Sequence, residues 1–235
     1  MFKHVLFTLI FSIISQYSYG QDGFKIGPSA YLVRGGAIPV DDLPFNYNTR
    51  YRAGFGAGLT MRYGFTPFFS MSAGAFFVSK GYKIFNDTNR NGSVLKRNLS
   101  NFEIPLNFHF LIKRMSKTEA RLVLGGTICN NITASSKTLS NKNGTFIVKE
   151  NFKHKIYPML NAGVEFTRTD KVKNTMVFSF MYRYSLATAN ELSVFSNPNN
   201  NTRDFMSAQR GTYLGIGFTY LFDSRNFRKK EEFFY

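Results

Sequence analysis

The chain has 235 residues, rich in Phe (27), Tyr (13) and Gly (19), with no Trp and 7 Pro, which suits one domain of many β-strands sharing an apolar medium. Its single cysteine, Cys129, excludes an internal disulfide and a cysteine-based zinc site and reads as a small strand residue. The formal charge of +16 is of the kind that attracts nucleic acid, a partner that the first segment of the chain argues against.

That segment, residues 1–20, has the three parts of a signal peptide. Met1-Phe2-Lys3-His4 is a basic start, 5–14 (VLFTLIFSII) an apolar run, and 15–20 a more polar stretch in which Ser18 and Gly20 give the small-x-small pattern. Cleavage is expected before Gln21. The run is shorter than the roughly 20 apolar residues of a membrane helix. No cysteine stands at the cleavage point to carry a lipid. An exported chain does not meet the genome, so no nucleic-acid partner is expected.

After Gly20 no stretch is apolar enough for a membrane helix. Period-2 alternation appears instead, eight times. The first strand, 24–33, is the least regular. In 51–64, Phe55, Ala57, Leu59, Met61 and Tyr63 share one face while Arg52, Thr60, Arg62 and four glycines share the other. The same pattern recurs over 69–77, 102–113, 120–129, 156–166, 176–185 and 213–222. Arginines among glycines on the minor face fit a narrow polar barrel interior.

The connections alternate in length. Tight turns are expected near Thr66-Pro67 and over 114–118 and 167–174, and long polar loops over 35–50, 83–98, 133–153 and 187–210. Short turns on one side and long loops on the other are the asymmetry of an outer-membrane barrel, with both termini in the periplasm. The fold expected is therefore all-β: an eight-stranded antiparallel up-and-down transmembrane β-barrel over residues 21–222, followed by a short C-terminal tail, 223–235. Such a barrel contacts outer-membrane lipid and lipopolysaccharide, whose phosphates suit the basic charge; a generally basic solvated surface explains that charge equally well.

Six inward charges, Arg52, Arg62, Glu103, Arg121, Glu165 and Arg183, are expected to pair with one another. Tyr63, Phe65, Phe68, Tyr220 and Phe222 are expected to form the periplasmic aromatic girdle. Pro105 and Pro158 fall inside strands, where bulges are expected.

The segment Asn101-Phe-Glu-Ile-Pro-Leu-Asn107 resembles the Glu-Ile-Pro-Leu strand of the PorT-like outer-membrane β-barrel family. Residues 160–166 (LNAGVEF), 180–186 (FMYRYSL) and 215–222 (GIGFTYLF) are similar to that family's closing pattern. The resemblance implies an eight-stranded barrel, some relatives of which assist protein secretion, and so envelope or secretion proteins as partners. It brings no catalytic residues. The chain continues past Phe222, so either Phe222 or Tyr235 supplies the terminal aromatic of the barrel.

No catalytic, cofactor-binding or metal residues are assigned, and no cofactor is expected. His154 has no serine two residues on along its face, and His109 is expected inside the barrel, bonded to an interior carboxylate. Asp41-Asp42 falls far short of the six to eight oxygens of a calcium site. The stretch 197–202 reads as a mobile surface loop, the tail 225–230 as basic, and the sequons at Asn98 and Asn131 as chance matches. The function expected is a non-enzymatic structural, surface or envelope-assembly role, accessory to protein secretion where the resemblance holds. A lipid A-modifying enzyme and a narrow channel are the alternatives.

Overall fold

The computed structural model describes residues 23–35, 38–39, 47–86, 95–132, 137–141, 144–152, 154–195 and 205–224. Eight strands close a barrel: β1 (Phe24–Gly35), β3 (Tyr47–Gly64), β4 (Phe69–Asn86), β5 (Leu95–Arg114), β6 (Thr118–Asn131), β9 (Ile156–Thr169), β10 (Thr175–Ser185) and β13 (Tyr213–Asp223). Every neighbouring pair is antiparallel and consecutive around the ring, and β1 against β13 completes it. The period-2 pattern is realised strand by strand. Along β10 and β13 buried and exposed residues alternate, with apolar residues facing outward. The interior gathers the charged and polar side chains around a smaller apolar cluster, and the exterior is apolar, the inverse of a water-soluble barrel.

Three tight turns close one end. Thr66 caps the first, its hydroxyl accepting from the Phe69 amide at 3.0 Å. Met115 and Thr118 exchange backbone bonds in the second. In the third the Asp170 carboxylate accepts from Asn174 N at 2.9 Å, and Lys173 takes φ 65°. Aromatic side chains cluster at this turn end. Tyr63 meets Phe65 edge-on (4.9 Å), Phe65 stacks on Phe69 (5.5 Å), and Tyr220 meets Phe222 (4.9 Å).

The long connections are more ordered than period-2 reasoning expects. The second, 83–98, continues β4 and β5 outward in register to Ile84↔Leu95. Short strands from the others, β2 (Ile38–Pro39), β7 (Lys137–Asn141), β8 (Gly144–Phe152), β11 (Thr188–Phe195) and β12 (Phe205–Arg210), form a separate sheet in the order β2-β12-β11-β8-β7. The polarity of these stretches hid them, because a strand clear of an apolar medium need not alternate.

The prolines make no bulge. Pro105 pairs in frame with Thr127, and the β4–β5 ladder skips from Ala73↔Leu106 to Phe76↔Glu103, so its missing donor falls in that gap. Pro158 pairs with Ile128 and lies one residue past the end of the β9–β10 ladder, where its carbonyl accepts from Leu186 N at 3.1 Å. The shifts in the barrel fall between Arg52 and Phe55 and between Leu111 and Lys113.

Inward glycines make room for rings. A Cβ on Gly58 would stand 2.6 Å from Phe76 Cδ1, and one on Gly217 only 2.3 Å from the Tyr31 ring. Tyr31 and Phe76 then meet edge-on at 5.2 Å across the lumen.

Candidate functional site: the lumen

The inward side chains stack in levels. Toward the loop end, Glu103 of β5 is fully buried and surrounded by cations. Arg183 Nη1 on β10 reaches Glu103 Oε2 at 2.5 Å, and the Tyr213 hydroxyl of β13 donates to the same oxygen at 2.5 Å. Lys80 of β4 stands 3.5 Å from Glu103 Oε1 and donates to the Gly211 carbonyl at 3.0 Å. The Asn101 amide oxygen is best oriented toward Tyr157 OH (2.7 Å) and Lys80 Nζ (3.2 Å). Around this ionic centre pack Val33, Phe76, Val78, Cys129, Tyr157, Met159 and Tyr213. Cys129 is buried there, its Sγ 3.0 Å from Met159 Sδ. Together these side chains plug the loop-end half of the barrel.

A second centre lies one level toward the turns. Arg62 Nη2 donates to Glu165 Oε2 at 2.7 Å, and His109 Nδ1 lies 3.1 Å from Glu165 Oε1. His109 Nε2 meets Ser72 Oγ at 2.7 Å. With the proton on Nδ1, this is the order of a base-activated serine. All three side chains are lumenal and buried. The adjoining cavity measures about 30 Å³, room for a few waters by the ~10–15 Å³ each needs, and too small for a lipid acyl chain.

Of the six charges expected to pair, Arg62 with Glu165 and Arg183 with Glu103 do so. Arg121 does not join them: its guanidinium reaches Glu119 Oε2 at 2.7 Å, two residues back on its own strand, and the Pro67 carbonyl at 3.2 Å. The reason is level, since Arg121 stands beside the turns. Arg52 is half-buried beside the β3 register shift. Lys80, Lys25 and Ser72 are lumenal partners that the alternation alone did not single out. Ser72 stands on β4, two residues along from Ser70, which pairs with His109, so register and not sequence spacing brings serine and imidazole together. His154 is exposed, and its carbonyl accepts from Asn131 Nδ2 at 3.2 Å. Asp41-Asp42, 197–202, the signal segment 1–20 and the tail from 225 lie outside the described residues. Among the described residues, no three His, Cys, Asp or Glu gather as metal ligands.

The family described as Outer membrane protein beta-barrel domain matches residues 14–220. The chain belongs to that family. Its fold class and its place in the bacterial outer membrane follow, and the apolar exterior described above is the lipid face. The crystal structure of the outer membrane protein OprG from Pseudomonas aeruginosa is similar at TM-score 0.54 and 13 % identity, over 86 % of this chain and 99 % of that one. At that identity the likeness concerns the fold alone. The outer membrane protease OmpT from Escherichia coli aligns at TM-score 0.40 and 12 % identity, over 84 % and 94 % of the two chains. No curated protein matches the sequence.

Proposed function

We propose that this outer-membrane barrel is a non-enzymatic envelope module that presents its loop-end sheet at the cell surface. On this reading residues 1–20 are a cleaved signal peptide, both termini lie in the periplasm, and the protein works with other envelope proteins, including those of secretion. The filled lumen carries the proposal. Two ionic centres and an apolar plug occupy it, and the cavity beside them, lined by described residues, is far smaller than a pore. The chain meanwhile extends well beyond the wall: β5 has 20 residues, against the roughly 9–11 that a tilted strand needs to cross. The Glu-Ile-Pro-Leu segment, 103–106, supports a PorT-like relationship and with it the secretion role.

The experiment is a chromosomal deletion assayed for the secreted proteome and for lipid A mass spectra. Lost secretion with unchanged lipid A agrees with the proposal. Altered lipid A overturns it in favour of an enzyme, the second reading, which the Ser72–His109 contact favours. That reading is the weaker one, because the contact faces the lumen and lipid faces the opposite side of every strand.

A further inference from the structure

Three strands leave the barrel wall together at the loop end. The β3–β4 ladder runs out to Tyr47↔Asn86 and the β4–β5 ladder to Ile84↔Leu95. The flanking ladders stop earlier, β1–β3 at Gly35↔Arg52 and β5–β6 at Asn101↔Asn131. The lipid face of this extension changes character level by level. Phe77 of β4 stands opposite Phe102 of β5, and both are exposed. The next levels on that face pair Ser79 with Ser100 and Gly81 with Asn98. One level further, Lys83 stands opposite Lys96 on one side and opposite Arg50 of β3 on the other. The β4–β5 register is unbroken over these levels, so period 2 keeps them on one face. By sequence, 47–52, 79–86 and 95–100 contain no Asp or Glu, and the connection 87–94 adds one charge of each sign, Asp87 and Arg90. Over 35–52, 79–100, 133–155 and 187–210 together, Lys and Arg outnumber Asp and Glu by more than two to one. Whatever ion pairs form within the loop end, it keeps a net positive charge.

We infer that the cross-strand row of Arg50, Lys83 and Lys96 is a docking site for the phosphate groups of lipopolysaccharide. Like charges directly opposite one another destabilise a sheet, and here three strands place cations in one row. An anion set against the row relieves that repulsion, and charge-assisted bonds from Lys and Arg to phosphate are the strong kind. The height fits. From Phe77 to Lys83 the strand rises by about 20 Å, which is about 14 Å along the membrane normal at a tilt near 45°. An apolar band about 25 Å tall, counted from the Phe69–Phe110 level, ends a few Å above Phe77. The row therefore stands about 8 Å beyond the hydrocarbon edge, within the depth of a headgroup layer. Phenyl, then small polar, then cationic levels follow the order in which lipid offers acyl chain, interface and phosphate. The inference rests on the orientation proposed above, in which the loop end meets the outer leaflet.

The test uses the full mature chain, refolded and placed in phosphatidylcholine nanodiscs that carry lipid A, dephosphorylated lipid A, or phosphatidylglycerol at matched phosphate. Thermal unfolding is followed by circular dichroism. Lipid A is expected to raise the midpoint above both other lipids. Lys83→Gln with Lys96→Gln should remove at least half of that rise, while Lys83→Arg with Lys96→Arg keeps it. Lys171→Gln, at an exposed turn of the opposite end, should leave it unchanged. Without lipid A phosphate the Gln pair should be at least as stable as the parent, because the repulsion in the row is gone. The inference is overturned if dephosphorylated lipid A or phosphatidylglycerol raises the midpoint as far as lipid A does, or if the folded Gln pair responds to lipid A like the parent. Orientation is read separately. Thr138→Cys on β7, against the buried Cys129 of the parent, is offered a membrane-impermeant maleimide on whole cells. Labelling only after the outer membrane is opened overturns the surface orientation and this inference with it. Labelling of intact cells without a lipid A preference in nanodiscs overturns this inference alone.

Discussion

Arg183 and Glu103 meet at 2.5 Å across the lumen although 80 residues separate them. They stand on β10 and β5, strands that are not neighbours in the ring. The bond therefore ties two walls that no backbone ladder joins. Removing one partner leaves a charge buried, at about 3–5 kcal/mol. Arg183→Met is expected to lower the temperature at which the unboiled band disappears on a detergent gel, and Arg183→Met with Glu103→Leu to recover part of the loss. A double variant no better than the single one would mean that the two groups do not act as a pair.

Glycines of the inward and outward faces, Gly58 and Gly126, are expected to differ sharply in tolerance. A Cβ at Gly58 would meet the Ala75 carbonyl oxygen at 2.1 Å and Phe76 at 2.6 Å, whereas at Gly126 the nearest atom is 3.6 Å away. Gly58→Ala should cost about 1–3 kcal/mol by overpacking, and Gly126→Ala close to nothing. Urea unfolding in the same detergent compares them, and equal midpoints would count against the packing described.

Phe180 faces lipid between Val164 and Ile216, midway along β10. Phe180→Arg is expected to lower folding stability in liposomes by about 2–4 kcal/mol. An unchanged refolding yield and midpoint would mean that this face is not in hydrocarbon.

Ser72→Ala deletes the hydroxyl partner of His109. A loss of about 1 kcal/mol in stability is expected, from one buried hydrogen bond, with no change in the lipid A spectrum of cells carrying the variant. An altered spectrum with an intact barrel would make Ser72 a chemical residue.

Strand number, face and turn placement were legible because lipid imposes one rule on every strand. Phe55, Leu59 and Met61 must face out, so Arg52, Thr60 and Arg62 share the other face whatever the register. Level was not legible. Glu165 finding Arg62, and Arg121 finding Glu119 instead, depends on how far each strand is staggered against the next, which period 2 leaves open. Lys80 escaped notice for a related reason: it lies beyond Phe77, the last apolar residue of the clean alternation in its strand. The hairpins of the outer sheet have no apolar medium to sort their faces and read as loops.

The seam between β1 and β13 has a further consequence. Lys25 pairs with Asp223, and the Ser224 amide donates to the Phe24 carbonyl at 3.0 Å, so the first and last strands meet like any other neighbours. The barrel has no structural beginning. A gene whose ends are joined by a short linker and reopened at the 115–118 turn would encode the same ladder in a different order, and what fixes the fold is the cyclic succession of strands, not the strand from which translation starts.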